Sequence, residues 1–228
     1  MAERTLVVAD PGERENLLSF LTHAVRLDEA AVVRLRRRAD GRVAAWVATG
    51  FDVLAQRAVE AELTPEDATV AAGELLATLS GHKGGEIALG FAMDSAWRGA
   101  LPPERGFVHV DDVPARELVD LARRGTEVAQ QHSSSQGPPA SLLDQEVIEV
   151  SGNGETVKIP MRVVFALVGM GFVPHSGDDG APTPELDLGR IDPHEIVRVR
   201  CERNWLRLDA RYGSVSKRRT ATTSLLIG

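Results

Sequence analysis

The sequence predicts an α+β protein: an N-terminal mixed α/β body with an antiparallel meander, and a smaller C-terminal domain of two β-hairpins around a buried helix. Three observations lead there. Apolar spacing changes several times between every second residue and every third or fourth. Turn-forming Gly, Asn, Asp and Pro sit where the spacing changes. The chain is also 43% hydrophobic but only 4% aromatic, so an aliphatic core can be filled from Val, Ala and Leu.

Thr5 to Ala9 is short enough for a strand, and Asp10, Pro11 and Gly12 turn the chain. Leu17, Phe20 or Leu21, and Ala24 or Val25 then fall on one helical face. From Ala31 the period shortens to two. Val33 and Leu35 alternate with Arg34 and Arg36, a turn falls at Ala39-Asp40-Gly41, and Val43 to Thr49 returns as the second arm of a hairpin. A third strand is expected within Asp52 to Glu62. Thr64-Pro65-Glu66-Asp67 reads as a capped helix start running to about Leu79, with Ser80 and Gly81 as its stop. The period of Ile87 to Met93 is ambiguous. Phe107 to Val110 predicts a strand, and Pro114 opens a helix carrying Leu118, Leu121, Ala122 and Val128.

The serine run and Gly137-Pro138-Pro139 mark a linker, which divides the chain into an acidic domain over 1–130, a linker over 131–141 and a basic-ended domain over 142–228. Beyond it, Glu146 to Val150 and Glu155 to Ile159 flank Ser151-Gly152-Asn153-Gly154, whose residues tolerate positive φ and so predict a hairpin. Pro160 opens a helix over Met161 to Val168 that is apolar almost all round and therefore buried, with Gly169 and Gly171 to end it. His175 to Gly189 predicts an exposed loop. Val197, Val199 and Cys201 alternate with Arg198, Arg200 and Glu202, and Leu206, Leu208 and Ala210 with Arg207, Asp209 and Arg211, so a second hairpin turns at Arg203-Asn204.

Composition narrows the function classes. The single cysteine, Cys201, cannot form an intramolecular disulfide and cannot build a thiolate metal site, which fits a reducing compartment. The first ten residues lack the pattern of a secretory signal, and no run approaches the roughly 18 apolar residues of a membrane span. A cytoplasmic protein is expected, with residue usage typical of a high-GC bacterial genome.

The formal net charge of −7 conceals a segregation. Arg190 to Arg219 holds nine basic and four acidic residues, a balance of +5, which leaves −12 on the rest. On the second hairpin, Arg198, Arg200, Arg207 and Arg211 share one face, with Lys217, Arg218 and Arg219 following on a mobile end. These seven residues are the candidate anion-binding set, because guanidinium groups on a rigid ribbon can bind phosphates bidentately. The competing reading is a solvated strand face whose arginines pair with acids of this or a neighbouring chain.

No other motif reaches a specific chemistry. Neither G-x-G-x-x-G nor G-x-x-x-x-G-K-[ST] occurs, and Gly81-His82-Lys83-Gly84-Gly85 follows a helix where a phosphate loop should follow a strand. His109 with Asp111 and Asp112, and His175 with Asp178 and Asp179, lack metal-ligand spacing. There is no G-x-S-x-G elbow, so no nucleophile is nominated. Cys201 reads as an inert core thiol. The sequence thus points to a regulatory binding protein that takes nucleic acid through the basic hairpin, without catalytic residues, cofactor or metal. The alternative is a scaffold that self-associates through its oppositely charged segments.

Overall fold

The computed structural model describes residues 4–82, 84–132, 139–173 and 188–219. In order these form β1 (Thr5–Val7), α1 (Pro11–Leu27), β2 (Val32–Arg37), β3 (Val43–Thr49), β4 (Val53–Val59), β5 (Glu62–Thr64), β6 (Asp67–Ala71), α2 (Ala72–Gly81) and β7 (Glu86–Ala88). They continue with β8 (Val108–Pro114), α3 (Ala115–His132), α4 (Ala140–Leu143), β9 (Glu146–Gly152), β10 (Glu155–Pro160), α5 (Met161–Gly169), β11 (Ile196–Glu202), β12 (Trp205–Ala210) and β13 (Gly213–Arg218). Most of the expected linker and of the 175–189 loop, and Lys83, lie outside the described residues.

Eight strands form one antiparallel sheet in the order β6-β2-β3-β4-β13-β12-β11-β8. A three-stranded sheet, β5-β1-β7, and a two-stranded one, β10-β9, complete the fold. Period-two alternation decides which side of the large sheet is dry. Val33, Leu35, Val47, Ala55, Val199, Cys201, Leu206, Leu208 and Val215 are buried on one face, where they join a single core with Leu17, Phe20 and Leu21 of α1 and Val163, Val164 and Leu167 of α5. The other face carries Arg34, Arg36, Trp46, Gln56, Arg198, Arg200, Arg207, Ser214 and Arg218. Residues 94–107 pass over it: Trp97 lies 5.9 Å from the Arg34 guanidinium and Phe107 lies 4.9 Å from that of Arg207.

The sheet is continuous because β13 sits between β12 and β4, pairing Ser214 with Gln56, Val215 with Ala55 and Ser216 with Leu54. Phe20 of α1 stacks on Phe172, which follows α5, at 6.2 Å. Gly213 has no room for a side chain: a Cβ would lie 2.5 Å from the Phe172 ring and 2.7 Å from the Gln56 carbonyl oxygen. Arg162 of α5 donates to the Phe51 carbonyl at 2.9 Å. Elements on both sides of 131–141 also pack together, since β8 pairs with β11 and α3 lies against α5.

Four expectations need correction. Asp67–Ala71 is a strand, β6, and the helix begins only at Ala72. The Thr64-Pro65 cap signal is outweighed by edge pairing on β2, which lets Ala68 and Val70 reach the core. Val128 is exposed and Gly125 takes the buried place on α3, where a Cβ would come within 2.8 Å of Phe165. Lys217 and Arg218 belong to β13 rather than to a mobile end. Pro11 and Gly12 likewise begin α1, with Asp10 accepting from the Glu13 N–H at 2.8 Å.

Candidate anion-binding site

The basic hairpin forms as expected: Arg200 pairs with Arg207 and Arg198 with Asp209 across β11 and β12. The β-branched and leucine residues of its inner face hold it to the core, which fixes the arginines on the outer face. Most of those charges are already met within the chain. Asp209 accepts from Arg207 at 2.6 Å and lies 3.2 Å from Arg200. Arg211 pairs with Glu195 at 2.5 Å, Lys217 with Asp52 at 3.6 Å and Arg219 with Glu155 at 3.5 Å.

The buried Glu195 carboxylate, held by those hydrogen bonds, raises the Arg211 guanidinium above its ordinary value. Arg218 lies over the Trp205 ring at 5.3 Å. Arg198 is exposed and has no ion-pair partner among the described residues. The set therefore divides: Arg198, Arg200, Arg207 and Arg218 share the outer face, Arg211 sits at the β12–β13 turn, and Lys217 and Arg219 are turned toward Asp52 and Glu155.

The sequence reading missed the arginines of the N-terminal half that join this surface. Arg34, Arg36, Arg37, Arg38 and Arg42 crowd the first hairpin, and Arg57 leaves β4 on the helix side. A cavity of about 380 Å³ opens where β4 and β13 part, lined by Arg38, Arg42, Arg57, Arg207 and Arg211. The signal for half of it was legible as the basic run 34–42. Nothing local in the sequence could place Arg57 beside residues 207–211.

The remaining candidates are accounted for by structure. His109 Nε2 lies 2.9 Å from Asp112 Oδ1 at the edge strand β8, and no group of three or more metal-ligating side chains gathers among the described residues. Burial pushes the Cys201 thiol above its ordinary value, as befits a core residue. His175, Asp178 and Asp179 fall outside the described residues. No described helix is long and apolar enough to cross a membrane.

This arrangement, an eight-stranded antiparallel sheet with α1 and α5 packed on one face, is similar in fold to solved DNA polymerase sliding clamps. The chain superposes on a β sliding clamp of Caulobacter crescentus with a TM-score of 0.58 at 13% identity, over 98% of this chain and 67% of that one. The Bacillus subtilis clamp gives 0.56 at 11% identity, over 99% and 68%. A further Caulobacter crescentus polymerase III β structure gives 0.55 at 13%, covering 94% of this chain and 64% of that one, so the chain spans about two thirds of the length of these proteins. Residues 102–222 match the family model described as domain of unknown function DUF8185, and the chain belongs to that family. Residues 1–99 match the model for domain of unknown function DUF8010. Comparison with curated proteins gave no match.

Proposed function

We propose that this chain is a nucleic-acid-associated binding protein of the cytoplasm, engaging phosphates through the outer face of the β11–β12 hairpin. One observation carries the reading: Arg198, Arg200, Arg207 and Arg218 stand on adjacent strands of a rigid sheet, two of them held by a single shared acid, Asp209. A carboxylate shared between two guanidiniums leaves donors for a second anion. The likeness to DNA polymerase sliding clamps supports the same class of partner.

Fluorescence anisotropy with labelled duplex DNA, single-stranded DNA and RNA tests this at low salt. Binding should weaken steeply as salt rises, and the double variant Arg198→Glu, Arg218→Glu, both on the outer face and neither in an ion pair among the described residues, should weaken it across sequences. Absence of binding to all three nucleic acids removes the proposal. A second reading rests on Arg198 and Arg218, which have no acid of this chain within ion-pair distance among the described residues and are open to acids of a second copy: a self-associating interaction protein. Salt-sensitive oligomers by light scattering, without nucleic-acid affinity, would select it.

A further inference from the structure

Pairing between β4 and β13 stops at Gln56 and Ser214. Beyond that point β4 continues through Arg57 and Ala58, whereas the segment before β13 runs back through the Arg211-Tyr212 turn, and residues of both line the open cleft of about 380 Å³. The β2–β3 turn closes the same end of the sheet and brings Arg38 and Arg42 to its rim. Both halves of the molecule therefore contribute to one opening.

The charges in that opening do not balance. Four arginines each have one carboxylate: Asp40 for Arg38 at 3.0 Å, Glu13 for Arg42 at 3.2 Å, Asp209 for Arg207 at 2.6 Å and Glu195 for Arg211 at 2.5 Å. The fifth, Arg57, has no carboxylate within 4.0 Å among the described residues. Its guanidinium is held by neutral groups, donating to Asn16 Oδ1 at 2.5 Å and lying 5.4 Å from the centre of the Tyr212 ring. Burial lowers its affinity for its proton relative to a free arginine, with Glu13 opposing that at longer range. The floor is polar as well: Gln56 and Ser214 are buried, and the Ser214 hydroxyl donates to Gln56 Oε1 at 3.3 Å. Arg42 Nε is buried with no hydrogen-bond partner.

We infer that this cleft is a binding site for a phosphate-type oxyanion, centred on Arg57 and walled by Arg38, Arg42, Arg207 and Arg211. A partly desolvated cation fixed by neutral partners gains more from an added anion than an exposed one does, because little water screens the interaction. Five arginines on different strands and turns line the cleft, with Asp209 the single carboxylate residue among its lining, and such a wall suits a tetrahedral oxyanion, which offers acceptors on every side, better than a planar carboxylate. The site is distinct from the outer hairpin face, sharing with the proposed nucleic-acid set only Arg207. The phosphate can be that of a small molecule or the terminal phosphate of a nucleic acid.

Isothermal titration calorimetry of the full chain with inorganic pyrophosphate, at ionic strength matched with sodium chloride, tests the inference. Saturable one-to-one binding is expected. Arg57→Gln should weaken it about tenfold or more, the loss of a charge-assisted contact. Arg38→Gln, on the exposed turn, should weaken it by a smaller factor and gives a readout even where the Arg57 variant does not fold. Arg198→Glu, outside the cleft, should leave pyrophosphate binding unchanged while reducing any oligonucleotide binding by the hairpin, so the two proposals fail separately. A 5′-phosphorylated oligonucleotide that outcompetes its unphosphorylated form in an Arg57-dependent way identifies the terminal phosphate as the source. Pyrophosphate binding with no such difference identifies a small molecule. No saturable heat with pyrophosphate, or folded Arg57 and Arg38 variants that both bind as the wild type does, overturns the inference.

Discussion

Arg57 and Gly213 flank the point where β4 and β13 part, and they carry opposite demands. Arg57 keeps a charge in a half-buried place, with Asn16 and Tyr212 as its close partners and Glu13 at longer range. Replacement by methionine removes that cost along with the two contacts, so Arg57→Met should leave stability within about 1 kcal/mol of the parent in urea denaturation. Gly213 gives up its side chain so that the Phe172 ring and the Gln56 carbonyl can approach. Gly213→Val should cost about 1–3 kcal/mol in the same measurement, since neither the ring nor the backbone has space to yield. A residue required for packing and one retained against packing thus stand side by side. Of the two, sequence patterning exposes neither, because Gly213 reads as a turn residue and Arg57 as an ordinary polar strand position.

At the scale of elements, patterning succeeds where burial is one-sided and fails where it is not. Burial alternates along β2, β10 and β11, and the β2–β3 and β9–β10 turns carry Gly41, Asn153 and Gly154 at positive φ. The stretch 67–71 misleads because Thr64-Pro65-Glu66-Asp67 has the chemistry of a helix start, while the pairing partner that makes it a strand lies some thirty residues earlier, in β2. Helix α3 shows the same limit. Gly125 reads as a weak point in the helix, yet it faces Phe165 and Met161 so closely that it sets the separation of α3 from α5. Gly125→Leu should therefore destabilise by about 1–3 kcal/mol despite the higher helix propensity of leucine, and denaturation followed by circular dichroism would show the sign.

The whole molecule is organised around one shared sheet, which no local sequence signal announces. Composition revealed the +5 and −12 segregation but could not show how the segment pairs: Arg200, Arg207 and Arg211 use its own acids, Asp209 and Glu195, and only Lys217 and Arg219 reach acids of the remainder, Asp52 and Glu155. Because β8 pairs with β11 and α3 packs on α5, the parts before and after 131–141 should stay together when the chain is cut between them. A protease site engineered near residue 135, cleaved and followed by size-exclusion chromatography, should return both fragments in one peak. Separation of the fragments would show that these contacts do not hold without the covalent link. The candidate cleft belongs to this scale too, since its arginines come from residues 38–57 and 207–211 and exist as a site only after the halves have joined.

The strand at the middle of the eight is also the last of them in the sequence. A ribosome therefore releases β6, β2, β3 and β4 as a four-stranded patch whose β4 edge stays bare until residues 213–218 emerge. An uncovered edge of this kind is a template for pairing with a second nascent chain, and the wait is longest for messages translated slowly.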